Sequence, residues 1–408
     1  MTFVKRGVAL DPRHRAADDC TVPSRTIRPA RALAVAARLF LLVVIALRAT
    51  AAHADDPQPI LHPKLSLDRF QPSPGPNRIL AIPTARTMTL WSYEIDVALD
   101  YAVTPLATGP GAAVVNRQLT GQILAAIGLG FVDIGLAVPA VLNQGSDAAA
   151  APLLATPLPS AAMGDVRFSA RFQLTPKKWT GALGVEVIAS FPSGGEDSFS
   201  GDGGYGLTGR LIGDLSLGRA QLAAYLGYRY RTEPGRALGI YVADEVLAGL
   251  GLSIAVLPRV LTLFVNSYGS FGVRSNPSDG SAPGAEERPL EALLGMHYAS
   301  SLGLTADLAG GIGIGTGRLA SGTALGYGSP EFRFVALLGF CSEYLDNDSD
   351  GIPDFKDKCP KRPGPSVQKV PAVSEVPVTR NMLMGVRDEL AARLDQHVEQ
   401  FRGIDARF

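Results

Sequence analysis

From residue 88 to residue 341 the chain repeats one pattern, segments of roughly ten residues in which apolar and polar side chains alternate. In 90–101, Trp91, Tyr93, Ile95, Val97, Leu99 and Tyr101 share one face of an extended strand, and Ser92, Glu94, Asp96, Ala98 and Asp100 share the other. Successive strand side chains point to opposite sides, so period two sorts these residues cleanly, whereas a helix would scatter the charges around its circumference. The split recurs in 165–174, where Val166, Phe168, Ala170, Phe172 and Leu174 oppose Asp165, Arg167, Ser169, Arg171 and Gln173. It recurs again in 221–231 and 245–256.

Reading every such segment gives twelve strands: 88–102, 114–127, 129–140, 163–174, 179–189, 206–217, 219–231, 244–257, 260–271, 289–298, 302–314 and 331–340. Those starting at Val114 and Val260 alternate poorly. The odd-numbered connections are read as long and polar or rich in Gly and Pro, as in 143–160, 192–204 and 274–288. The even-numbered ones are short, as in Gly218 and Pro258-Arg259. That alternation predicts an all-β chain forming a transmembrane antiparallel up-and-down barrel with long external loops and short periplasmic turns. A soluble sheet would carry dense Lys and Glu on its polar face. Here that face is Gly, Ala and Ser with a few charges, and lysine is almost missing between Trp91 and Tyr344. The charges expected inside are Glu94, Asp96, Asp100, Asp133, Asp165, Arg167, Arg171, Arg210, Asp214, Arg229, Glu331 and Arg333.

Composition agrees: 45 Gly and 30 Pro with 46% hydrophobic residues suit many short strands joined by turns. Net charge is zero, which gives no field to draw nucleic acid, and the partner implied by the apolar faces is outer-membrane lipid. Residues 1–54 read as a signal peptide, with arginines ahead of the apolar run 39–47 and the small-residue site Ala52-His53-Ala54. The expected location is the outer membrane of a Gram-negative bacterium with both termini periplasmic. Residues 55–87 are Pro-rich and read as an extended periplasmic arm without regular structure. Residues 361–380 read as a linker, and 381–408 as a tail carrying one amphipathic helix with Leu383, Val386, Leu390, Leu394 and Val398 at helical spacing. Such a helix suits a periplasmic or surface protein partner or a solvated tail.

The chemistry concentrates in 342–360. Counted from Asp346, carboxylates stand at positions one, three, five, nine and twelve (Asp346, Asp348, Asp350, Asp354, Asp357), with Gly351 at six and the Ile352 carbonyl at seven. Hard oxygen donors at that spacing, with a glycine for the sharp turn, predict a loop around calcium. Cys341 and Cys359 flank it and, in an oxidising compartment, are disulfide candidates.

The segment resembles a thrombospondin type 3 repeat, through Asp346, Asp348, Asp350, Gly351, Asp354, Asp357, Cys359 and Pro360. The resemblance implies calcium ligation by those Asp side chains, a structural role and a link to adhesion. The whole arrangement is similar to barrel-bearing members of the outer-membrane-protein-A-like family of myxobacterial type. It rests on Asp68-Arg69-Phe70, Leu99-Asp100-Tyr101, Phe191-Pro192-Ser193-Gly194, Gly201-Asp202-Gly203 and Pro330-Glu331-Phe332-Arg333. It departs after Pro360, because 361–408 is too short for the family's peptidoglycan-binding domain and lacks its Asn and Arg pattern.

Three functions compete: a structural or passive-pore barrel with a calcium-binding repeat, a surface adhesin acting through its loops, and an outer-membrane hydrolase. The last would need a base for a nucleophile, and His297 is the one histidine in the barrel, without an evident Ser and Asp company. The expectation is a non-enzyme.

Overall fold

The computed structural model describes residues 64–107, 113–150, 154, 156–195, 197–237, 240–278, 280, 282–284, 287–314, 327–347 and 353–354. The segments read as a signal peptide, a linker and a helical tail, and most of the acidic segment, lie outside them. The twelve expected strands are present: β1 Tyr93–Ala107, β2 Ala113–Gly128, β3 Val132–Gly145, β4 Val166–Gln173, β5 Gly181–Phe191, β6 Gly206–Leu217, β7 Ala220–Arg231, β8 Glu245–Leu257, β9 Leu261–Gly272, β10 Leu290–Ala299, β11 Leu304–Gly313 and β12 Phe332–Cys341.

Each strand pairs antiparallel with the next, and β12 pairs with β1 from Phe332↔Val103 to Cys341↔Glu94, so the sheet closes and leaves no edge in the ring. Turns close one end of the barrel and long connections the other. At the turn end Gly218, at φ 63°, supplies the left-handed residue of the two-residue link between β6 and β7. The first connection departs from the expected alternation. β1 and β2 run on to Ala107 and Ala113 past irregular register at Val103/Leu106, leaving five residues between them. β1 also begins later than read, because Trp91 adopts φ 64° and its N–H bonds the Gly128 carbonyl at 2.8 Å, which turns 88–92 under the rim.

The outer face is apolar in an ordered way. Leu226, Leu250, Ile95, Leu211 and Ile123 are each more than half exposed. Aromatic residues band both ends: Trp91, Trp179, Tyr93 and Tyr298 near the turns, and Phe168, Phe191, Tyr205, Tyr228, Phe271, Phe332 and Phe334 near the loops. Phe191 stacks edge-on to Phe168 at 5.6 Å and to Tyr205 at 6.0 Å, an aromatic run across β4, β5 and the β6 entrance. A soluble protein does not expose a continuous apolar surface of this kind, whereas a lipid-facing belt between two interfacial girdles is what a bilayer requires. The inside carries the polar face: Glu94, Asp96, Asp100, Gln118, Thr120 and Gln122 are all buried.

Candidate functional site: the filled lumen

Residues 64–88 occupy the inside of the barrel. The expectation for this stretch was an arm in the periplasm; instead it threads the lumen from one mouth to the other. Lys64 stands at the loop end beside Glu233, and the Leu67 N–H bonds the Phe199 carbonyl at 3.0 Å. The chain then descends to Met88 at the turn end, where Lys177 Nζ donates to the Thr87 and Met88 carbonyls at 3.0 Å each. Burial there depresses the Lys177 ammonium, and Glu343 and Asp133 oppose the effect. The first described residue, Lys64, thus stands at the loop mouth, and β12 ends at the turn mouth; the side on which each terminus lies falls outside the described residues.

Two features of the sequence drive the segment inside. Its apolar residues Leu65, Leu67, Phe70, Ile79, Leu80 and Ile82 are at most 3% exposed, each worth about 1.5–3 kcal/mol on burial. Pro72, Pro74 and Pro76 remove the N–H groups needed to add to a sheet, so the backbone must be satisfied by side chains. The wall supplies them. Asp214 Oδ2 accepts the Ala85 N–H at 2.9 Å, and Asp133 Oδ1 the Met88 N–H at 2.9 Å. Gln122 Nε2 donates to the Phe70 carbonyl at 2.9 Å, Arg171 Nη1 to the Asn77 carbonyl at 3.0 Å, and Asn266 Nδ2 to the Ile79 carbonyl at 3.1 Å. Only a small hairpin, Arg78–Ile79 paired with Ile82–Pro83, forms regular structure.

The hairpin packs into an apolar cluster with Tyr225, Leu247, Phe264, Tyr268, Leu293 and Val335 of the wall. This explains the poor alternation of β2 and β9: Phe264 points inward onto the plug, and Leu124 points inward onto Ala98, Ala137 and Leu337 of the wall, so neither meets water. Gly251 of β8 makes room for the hairpin. A Cβ there would stand 3.2 Å from Ile82 Cγ1 and 3.3 Å from Ile79 Cβ. Gly251→Leu is therefore expected to overpack the contact and cost about 1–3 kcal/mol, read as a lower urea midpoint of the detergent-folded barrel. An unchanged midpoint would mean that the hairpin does not seat there.

Ion pairs at the two ends and hydrogen bonds in the middle tie plug to wall. Near the loops, buried Glu245 gathers Arg69 at 2.6 Å, Arg231 at 2.7 Å and Arg229 at 3.6 Å, together with the Ser270 and Tyr327 hydroxyls. The Arg231 contact is an ion pair without hydrogen-bond alignment. At the same level Arg333 bridges Asp100 at 2.6 Å and Glu291 at 2.7 Å, and Arg167 meets Asp68 at 3.5 Å. In the middle, Glu186 lies between Arg171 and Arg210 at 3.2 Å each and accepts the Ser73 hydroxyl at 2.8 Å. Near the turns, Arg78 meets Glu94 at 3.2 Å and Asp96 at 2.9 Å, and Arg86 meets Asp214 at 3.1 Å. His297 Nδ1 lies 2.7 Å from Asp307 Oδ1 on the neighbouring strand. A cavity of about 200 Å³ opens here among Arg78, His297, Asp307 and Tyr344. The spaces beside Arg229 higher up hold about 30 and 20 Å³, room for a water or two.

Of the twelve charges expected inside, ten line the lumen. Asp165 sits just ahead of β4, where its carboxylate accepts the Gly194 and Asp202 N–H groups at 2.9 and 2.8 Å, and Glu331 is exposed at the loop rim. Sequence reading missed Glu186, Arg231, Glu245, Glu291 and Asp307 as lumen charges, although each stands on the polar phase of its strand. It also missed every plug residue, for which period two gives no signal. In the acidic segment, Asp346 and Asp354 are described; Asp348, Asp350, Ile352 and Asp357 lie outside the described residues. The base of that loop is drawn together: the Asp354 N–H bonds the Leu345 carbonyl at 2.8 Å, and the Asp354 carboxylate accepts the Asn347 backbone N–H at 2.8 Å. Cys341 is a buried free cysteine at the end of β12, and its candidate partner Cys359 lies outside the described residues.

No protein-family model matches the sequence, so neither the outer-membrane-protein-A-like nor the thrombospondin type 3 resemblance gains support from that side. No curated protein matches it in sequence either. Among solved structures, an outer membrane channel from Pseudomonas putida F1 is similar at TM-score 0.48 and 13% identity, covering 66% of this chain and 100% of that one. The KdgM porin complexed with disordered oligogalacturonate is similar at TM-score 0.37 and 6% identity, covering 60% and 98%. The NanC porin is similar at TM-score 0.37 and 10% identity, covering 60% and 97%.

Proposed function

We propose that the protein is an outer-membrane barrel of the passive-pore kind, held closed by residues 64–88 of its own chain. The observation that supports this most is the pairing of a lipid-facing apolar belt with a polar, charge-lined interior. That interior is filled by a segment attached through side chains rather than through the sheet ladder. A barrel needed only as a membrane anchor could fill its lumen with wall side chains alone. Adhesin and hydrolase readings lack comparable support; among the described residues no serine or threonine hydroxyl hydrogen-bonds His297. Planar-bilayer recording of the refolded chain 55–408, with circular dichroism in detergent, tests the reading. A β-rich spectrum with discrete but infrequent current steps is expected. A chain that folds and stays soluble without detergent would contradict it.

The acidic segment is proposed as a calcium loop on the far side of β12, with Asp346, Asp348, Asp350, Asp354 and Asp357 and the Ile352 carbonyl as ligands. The closed loop base between Leu345 and Asp354 supports it. Calorimetric titration of the full chain should show calcium binding weakened roughly tenfold or more in Asp350→Asn, since each lost carboxylate removes a charged oxygen donor. Equal affinity in both chains would rule the loop out.

A further inference from the structure

Charge is unevenly spread over the lumen. Among the described residues, nine strand carboxylates face inward against six strand guanidiniums, an excess of three negative charges. The excess is concentrated at the turn mouth. Glu94, Asp96, Asp133, Asp214 and Asp307 all stand within four residues of the turn-end terminus of their strands. Arg171 is the one strand guanidinium at that level among the described residues, and it is already shared with Glu186. His297 is engaged by Asp307.

Apart from Lys177 in the turn after β4 and Arg171, which both act on Asp133, the cations that balance this ring come from the plug. Arg78 reaches Glu94, Asp96 and, at 3.9 Å, Asp307; Arg86 reaches Asp214. Even with Arg78 in place the ring is incompletely satisfied, because Asp133 Oδ2 and Asp96 Oδ1 have no hydrogen-bond partner. From Leu65 to Met88 the segment carries three arginines and one aspartate. Removing it would leave the turn mouth a ring of carboxylates inside a low-dielectric wall, a geometry that concentrates cations and repels anions.

We propose that residues 64–88 are a displaceable plug latched by Arg78 to the carboxylate ring at the turn mouth, and that the lumen it vacates passes cations in preference to anions. This rests on the passive-pore reading above. The contacts of Arg78 to the ring are made between side chains, so they and the hairpin's apolar seat beneath them can open without breaking the barrel ladder.

The test uses the full mature chain in planar bilayers under a tenfold potassium chloride gradient, with folding scored by heat-modifiable gel mobility. Arg78→Gln is expected to raise the frequency of openings by roughly tenfold or more. The reversal potential of those openings should lie on the cation side. Adding Asp96→Asn and Asp307→Asn to that variant should bring the reversal potential at least halfway to zero. Arg86→Gln, whose wild-type side chain is 24% exposed, is the second variant should Arg78→Gln not fold, with openings expected to change in the same direction. Openings that reverse at zero or on the anion side would overturn the cation preference while leaving the pore reading intact. A folded variant that opens no more often than wild type would overturn the latch. Folded chains that never open under any of these changes would overturn the pore reading and the inference with it.

Discussion

Glu245→Gln is expected to destabilise the barrel by about 3–5 kcal/mol, the range for leaving buried charges without their partner. Glu245 is fully buried at the loop end of β8 and is the common anion of Arg69, Arg231 and Arg229. The amide keeps the side-chain shape and still accepts from Ser270 and Tyr327, so little is lost in packing. What is lost is the charge that lets three guanidiniums approach one another, and Asp202, at 2.9 Å from Arg231 and also acting on Arg229, supplies too little charge for all three. Arg69 belongs to the plug, and its release should loosen the upper half of residues 64–88. Urea titration of the detergent-folded protein, followed by heat-modifiable mobility, gives the size of the effect. A cost under about 1 kcal/mol, the worth of a solvated surface pair, would show that this end of the lumen is wet rather than packed.

Leu250→Arg is expected to cost about 2–4 kcal/mol in a lipid bilayer, because it puts a guanidinium on the outer face halfway along β8. Leu250 is 54% exposed. On a soluble protein an exposed leucine replaced by arginine is close to neutral, since both faces of the comparison are hydrated. The difference between a clear cost and near neutrality makes this substitution a test of what surrounds the barrel. The control is Leu302→Arg, at 70% exposure in the link between β10 and β11, where the charge reaches the interface and the cost should fall to about 0–1 kcal/mol. Equal costs at the two positions would contradict the lipid belt.

The barrel was legible because a strand between lipid and lumen must alternate, and the eleven connections merely separate such runs. Where alternation failed, in β2 and β9, a local physical cause is visible: Leu124 and Phe264 face a packed interior. The plug was illegible for the complementary reason. Its order comes from side chains distant in sequence, Asp214 for Ala85 and Gln122 for Phe70, and nothing in Pro72-Ser73-Pro74-Gly75-Pro76 announces that partners exist. A weaker signal was present in Ile79, Leu80 and Ile82, three aliphatic residues close together in a stretch read as solvated. The lumen charges fell between these cases. Those on strongly alternating strands, such as Asp96 and Arg171, were readable, whereas Glu291 and Asp307 sit on strands rich in Gly and Ala, where the polar phase is diluted.

Residues 64–88 lie inside the barrel, and a disulfide between plug and wall is the sharpest check on that placement. Ile79 Cβ is 3.3 Å from where a Cβ at position 251 would stand, close to the separation that a disulfide spans. In a chain with Cys341 and Cys359 changed to Ser, Ile79→Cys with Gly251→Cys should form the bond on mild oxidation of the folded barrel. Both introduced thiols should be lost to alkylation together, and each single variant should keep its own. Two thiols that remain free and alkylate independently in the folded barrel would place the segment outside the lumen and contradict the account.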